Sequence, residues 1–144
     1  MTYKGFTLIE VLIVLALSVI LFSISLPLYD SLLRISALDS GKTDVMEQLR
    51  LAQTKAKYGE QNSRFGVYLQ AASYTLFQGN TFANRVIAAD RVFSLPTNIS
   101  TVTNTEIVFA TSTGLPAASS TIILINNTTN RTETIIINEQ GLIE

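Results

Sequence analysis

Few residues in this sequence can do chemistry, and the one in the least expected place is a carboxylate. Glu10 lies inside KGFTLIEVLIVLAL, residues 4–17, and is the only charged side chain between Lys4 and Asp30. The chain has no His and no Cys. That removes disulfides, the usual zinc ligands and the commonest general base. The remaining carboxylates of interest, Glu106, Glu133, Glu139 and Glu144, are scattered at strand ends or in the tail and read as solvated charge. No calcium-loop or phosphate-loop motif is present, so neither a metal nor a nucleotide cofactor is expected. Arg50, Lys55, Lys57 and Arg64 form the densest basic cluster, with Tyr58 and Phe65 nearby. Such a cluster could hold a nucleic-acid backbone, but cations are also favoured at a helix C-terminus. Asn98, Asn126, Asn127 and Asn130 open N-x-[ST] sequons, which arise readily in Thr- and Asn-rich loops.

The element carrying Glu10 is the apolar run over residues 6–28. At roughly 1.5 Å per residue it would make a helix of about 35 Å, enough to span a bilayer core with modest tilt. Hydrophobic residues make up 47% of the chain and charged residues 15%, and the excess is concentrated in this run. Lys4 before it favours a cytoplasmic N-terminus. A secretory signal peptide would be shorter and followed by a small-x-small site, and only Ser25 offers one here. A plain signal anchor fits the length and leaves Glu10 unexplained. A carboxylate at the bilayer centre costs roughly 2.5–3.5 kcal/mol, less towards the interface. Glu10 is therefore either an interfacial residue reaching for headgroups or one half of a pair. The run contains no cationic side chain, so a partner must come from another molecule or from a free amino terminus. Pro27 removes a helical hydrogen bond and either ends the helix or kinks it.

GFTLIE at residues 5–10, preceded by Lys4 and followed by about twenty apolar residues, resembles the type III signal of type IV prepilins and pseudopilins. The resemblance implies cleavage between Gly5 and Phe6 by a prepilin peptidase, N-methylation of Phe6, and a leader over residues 1–5. The new Phe6 amine then supplies the missing cation, and Glu10 four residues on would pair with that of a neighbouring subunit in a filament core. Pro27 fits the position of a proline common in the family. The helix end LRLAQTKAKY and the tail TIIINEQGLIE resemble the GspH/FimT branch of minor subunits, although Glu139, Glu144 and the short C-terminus depart from more basic members.

Beyond residue 28 the pattern changes. Leu28, Leu32, Ile35, Leu38, Val45, Leu49, Ala52 and Ala56 follow 3-, 4- and 7-residue steps, placing them on one helical face. Gly41 weakens that helix and marks a candidate bend, and Gly59 is a candidate C-terminal cap. Strands are expected at residues 65–69, 73–77, 91–95, 106–110, 121–125 and 132–137, with a hairpin over the first two. The expected architecture is α+β and pilin-like: a leader (1–5), a transmembrane and assembly helix (6–28), and a domain (29–144) with an amphipathic helix on an antiparallel β-sheet.

By resemblance the function is a structural one, that of a subunit of a type IV pilus or type II secretion pseudopilus. It would sit in a bacterial or archaeal membrane and later in an extracytoplasmic filament. Its partners would be other subunits, the peptidase, an assembly platform and a motor. Two other readings stay open: a DNA-binding minor pilin of a competence system, and a signal-anchored enzyme, against which the missing His and Cys count.

Overall fold

Apolar residues at helical spacing need a surface to cover, and residues 36–57 find one. The computed structural model describes Gly5 and residues 7–144, with side chains for all of these except residues 24–36. Helix α1 runs Leu8–Lys57, and the chain divides into two compact units, Met1–Ile35 and Ser36–Glu144. Within the second unit Leu38, Val45, Leu49, Ala52 and Ala56 are buried, as their spacing requires. Leu28, Leu32 and Ile35 have side chains outside the described residues. Gly41 lies on the same buried face. A Cβ there would come within 3.3 Å of Pro96 Cδ, so the glycine serves close packing against the Pro96 loop. Gly59 closes the helix in the left-handed region (φ 65°), its N–H donating to Ala56 O at 3.0 Å.

Seven strands follow: β1 Phe65–Gln70, β2 Ser73–Gln78, β3 Arg91–Ser94, β4 Ile99–Thr101, β5 Thr105–Phe109, β6 Ser120–Asn126 and β7 Thr132–Ile137. They form two antiparallel sheets, where the sequence leads one to expect a single sheet. One has the order β3-β2-β1-β5 and the other β4-β6-β7. The division falls between β5 and β6, and the second sheet takes its third strand from β4, three residues in NIST that pair with β6 in the register Ile99↔Asn126. Alternation directs Phe65, Val67 and Leu69 of β1, and Ile122 and Leu124 of β6, into one core shared with α1. Lys42 adds a partly exposed ion pair across the helix–sheet boundary, 3.1 Å to Glu133 on β7. At this exposure it contributes under about 1 kcal/mol, so apolar burial dominates.

The other face of the larger sheet carries a smaller aromatic cluster. Phe77 is fully buried beneath Phe82, which stacks on Tyr68 at 4.1 Å between ring centroids. Arg85 lies 3.8 Å over the Phe82 ring and pairs with Asp90 at 2.6 Å, fastening the β2–β3 loop. Gly66 gives Phe77 its room, since a Cβ there would lie 2.6 Å from the Phe77 ring.

Candidate functional site

The described apolar helix begins with a cap. Thr7 precedes α1, and its Oγ1 accepts the Glu10 N–H at 3.3 Å. Its carbonyl accepts Glu10 N–H at 3.1 Å and Val11 N–H at 3.3 Å. Leu8 is the first helical residue, so Glu10 stands third and its charge is favoured by the helix dipole. T-x-x-E over residues 7–10 is a capping-box pattern, legible in the sequence beside the signal that shares its residues. Thr7 is thus the residue that a reading centred on Gly5, Phe6 and Glu10 passes over.

From there α1 has no polar face. Every large apolar side chain from Leu8 to Phe22 is 48–80% exposed. The two serines satisfy themselves: Ser18 Oγ–H donates to Val14 O at 2.7 Å and Ser23 Oγ–H to Val19 O at 2.8 Å. Neither hydroxyl therefore opposes an apolar environment. Glu10 is exposed, and its carboxylate makes no hydrogen bond or ion pair among the described residues. Moving one large apolar side chain out of water contributes roughly 1.5–3 kcal/mol. A few such residues outweigh the roughly 2.5–3.5 kcal/mol penalty of one carboxylate, so the helix favours an apolar phase with Glu10 as its one uncompensated group.

Gly5 is exposed and non-helical, and a Cβ on it would meet nothing within 4 Å. The chain's own packing therefore gives no reason for glycine at this position. Phe6, expected to carry the new amino terminus, lies outside the described residues. So does the side chain of Pro27, expected to kink the helix; backbone assignment is helical at that position. Among the described residues no helix is long and apolar enough to cross a membrane. Of the run over residues 6–28, Phe6 and the side chains of 24–28 lie outside them.

Several of the remaining candidates are used internally, while the side chains of Lys57, Arg64, Glu139 and Glu144 make no hydrogen bond or ion pair among the described residues. Glu106 accepts the Phe82 N–H at 2.8 Å, and Glu133 pairs with Lys42. Within the basic cluster Lys55 pairs with Glu60 at 2.7 Å, and Arg50 donates to Ile143 O at 3.4 Å. A cavity of about 230 Å³ opens beside that Lys55–Glu60 pair, lined also by Gln78 and Arg91. No group of His, Cys, Asp and Glu among the described residues could hold a metal ion. Of the sequon asparagines, Asn126 is buried, and its Oδ1 accepts the N–H groups of Thr128 and Thr129 at 2.9 and 3.2 Å.

No curated protein and no solved structure matches the chain. Residues 1–26 match the family model described as the prokaryotic N-terminal methylation motif. Gly5, the Thr7 cap and the apolar start of α1 with Glu10 fall within that match. The chain therefore carries the N-terminal methylation motif typical of type IV prepilins and pseudopilins.

Proposed function

We propose that this chain is a structural, non-enzymatic subunit of a type IV pilus or a type II secretion pseudopilus. Prepilin peptidase cuts between Gly5 and Phe6, and Phe6 is then N-methylated. The apolar part of α1 holds the subunit in the cell membrane with its N-terminus cytoplasmic. The subunit later moves into an extracytoplasmic filament, where Glu10 pairs with the Phe6 amine of a neighbour. Other subunits, an assembly platform and a motor are its partners. One observation supports this above the others: within the matched segment, the Glu10 carboxylate has no partner among the described residues, on a helix whose described side chains are apolar on every side. The tail and helix-end resemblance favours a minor subunit of the GspH/FimT kind. A DNA-binding role draws less support, because Lys55 and Arg50 of the basic cluster are already engaged within the chain.

Co-expression with a prepilin peptidase tests the reading. Intact-mass spectrometry is expected to find a chain shortened by residues 1–5 and carrying one methyl group on Phe6. Replacing Gly5 by Leu is expected to leave uncut precursor in the membrane fraction. A wild-type chain that keeps Met1, or is cut near Ser25, would overturn the proposal.

A further inference from the structure

We propose that the cavity beside the Lys55–Glu60 pair binds a neutral polyhydroxyl molecule the size of one sugar ring. The cavity lies wholly within the unit Ser36–Glu144 and does not rest on the processing reading above. Lys55 at the end of α1, Glu60 just after it, Gln78 at the end of β2, and Asp90 and Arg91 at the entry to β3 meet there. By alternation Gln78 shares the core side of β2 with Tyr74 and Leu76, and it is only 8% exposed. Its side-chain amide nevertheless makes no hydrogen bond among the described residues. Asp90 is half-satisfied: its Oδ2 accepts the Arg85 Nε–H at 2.6 Å, while its buried Oδ1 has no partner among the described residues. The exposed Arg91 guanidinium is also unpaired among them. Buried polar groups are hydrogen-bonded as a rule, so two unsatisfied ones on one cavity point to a ligand that completes them.

The lining selects the chemistry of that ligand. Two cations, Lys55 and Arg91, share it with two carboxylates, Glu60 and Asp90. An anion would meet the carboxylates and a cation the basic groups, so a net charge gains little. The Gln78 amide both donates and accepts, the Asp90 Oδ1 only accepts, and Arg91 only donates. A ligand must therefore offer both functions at close spacing, as hydroxyl groups do. Hydroxyls also reproduce the hydrogen bonds of the waters they displace. At a water's share of about 30 Å³, the cavity of about 230 Å³ has room for about eight waters, comparable to one sugar ring. Leu76 and Ala89 add an apolar part to the lining for the C–H groups of such a ring.

The test titrates the full chain, in a detergent without a sugar headgroup, with glucose, galactose, mannose and N-acetylglucosamine, read by saturation-transfer NMR. Glycylglycine and inorganic phosphate serve as the zwitterionic and anionic comparisons. At least one of the sugars is expected to bind saturably with a Kd of about a millimolar, and neither charged probe to displace it. Gln78→Met keeps the side-chain length and loses the amide, and Arg91→Ala removes an exposed guanidinium without touching the core. Each is expected to weaken binding about ten-fold, while Lys57→Ala, outside the cavity, leaves it unchanged. Thermal melts verify the fold, and Arg91→Ala carries the comparison if Gln78→Met does not fold. Saturable binding of none of the four sugars would overturn the proposal. So would a Kd that Arg91→Ala leaves untouched, which would put the sugar elsewhere. Displacement of the sugar by phosphate or glycylglycine would overturn it too, making the cavity a site for a charged ligand.

Discussion

Substituting Gly141 by Ala should destabilise the folded unit mainly through a residue 88 positions away. Gln53 on α1 uses one amide nitrogen twice, donating from Nε2 to Gly141 O at 2.7 Å and to Gly114 O at 3.1 Å. A Cβ on Gly141 would lie 2.5 Å from that nitrogen, so the Gln53 side chain would have to leave. Gly141 also has φ 80°, where an alanine is strained by roughly 1–2 kcal/mol. Two partly buried hydrogen bonds are worth about 0.5–1.5 kcal/mol each. Gly141→Ala should therefore cost roughly 2–5 kcal/mol, and Gln53→Ala roughly 1–3 kcal/mol. In the double variant the bonds are already gone, and the alanine adds only its backbone strain of about 1–2 kcal/mol. The double variant should then be about as stable as Gly141→Ala alone, with a coupling of about 1–3 kcal/mol. Urea denaturation of residues 36–144, read as midpoint shifts at constant slope, measures all four corners of the cycle. Additive losses would show that the alanine never reaches the Gln53 amide, and the reasoning would fail.

Other outcomes follow from the same packing. Residues 36–144 alone should melt cooperatively with helix and strand signals together in circular dichroism, because they hold the whole buried cluster. Deleting residues 142–144 should destabilise that unit by roughly 2–5 kcal/mol or more, since Ile143 is buried and Glu144 exchanges two backbone bonds with Ile136; a urea midpoint reads it. Gly66→Ala should cost about 1–3 kcal/mol by overpacking, and Phe77→Leu should rescue it only in part, because Ile107 O also lies 2.6 Å from the new Cβ. Burial, then the charges of Asp44 and Glu47, raise the Tyr74 pKa above its ordinary 10.0. A native pKa above the unfolded one gives stability that is complete below about pH 10 and lost as pH rises through the native value. Tyr74→Phe should therefore flatten the alkaline limb of a stability–pH profile measured by thermal melts.

How much of this was legible in the sequence varies with the range of the interaction. The buried face of α1 was legible because burial follows a 3.6-residue period that its own residues carry, from Leu38 to Ala56. Six of the seven strands announce themselves as β-branched or aromatic runs bounded by turn residues. The seventh, β4, is three residues long and exists because β6 offers it an edge, so nothing local marks it. The division of one expected sheet into two is equally non-local, since β5 and β6 follow one another in the chain without pairing. Gly41 illustrates the same limit. Its helix-weakening propensity is a local fact, while its use, admitting Pro96 from 55 residues away, is not. Phe82 lies in a loop without pattern, and only the fold brings Tyr68, Phe77 and Arg85 around it. The N-terminal site is the converse case. Gly5, Thr7 and Glu10 act within six residues of one another, and their spacing states both a signal and a helix cap.

That overlap offers Glu10 a local role and, on the proposed function, an intermolecular one, and the two can be separated. As the third residue of a capped helix, Glu10 makes no side-chain hydrogen bond among the described residues, and the helix dipole favours its charge by roughly 0.3–1 kcal/mol. Locally, then, Gln should cost little, and Asp, which keeps the charge, less. As the partner of a neighbour's amine in a water-poor filament core, Glu10 meets a far larger demand: the charge itself is required. Leaving one member of a buried pair alone costs roughly 3–5 kcal/mol, about two to three orders of magnitude in an assembly equilibrium. The local role thus predicts a small loss for Gln, and pairing a large one. Both substitutions should preserve membrane insertion and cleavage after Gly5, verified by fractionation and intact mass. Incorporation into sheared filaments, with wild-type subunits present, is the deciding measurement. Glu10→Asp is expected to fall modestly and Glu10→Gln by about 100-fold or more. Normal incorporation of Glu10→Gln would reduce Glu10 to a charge in the first turn of a helix, and filament assembly would then rest on the packing of apolar helices.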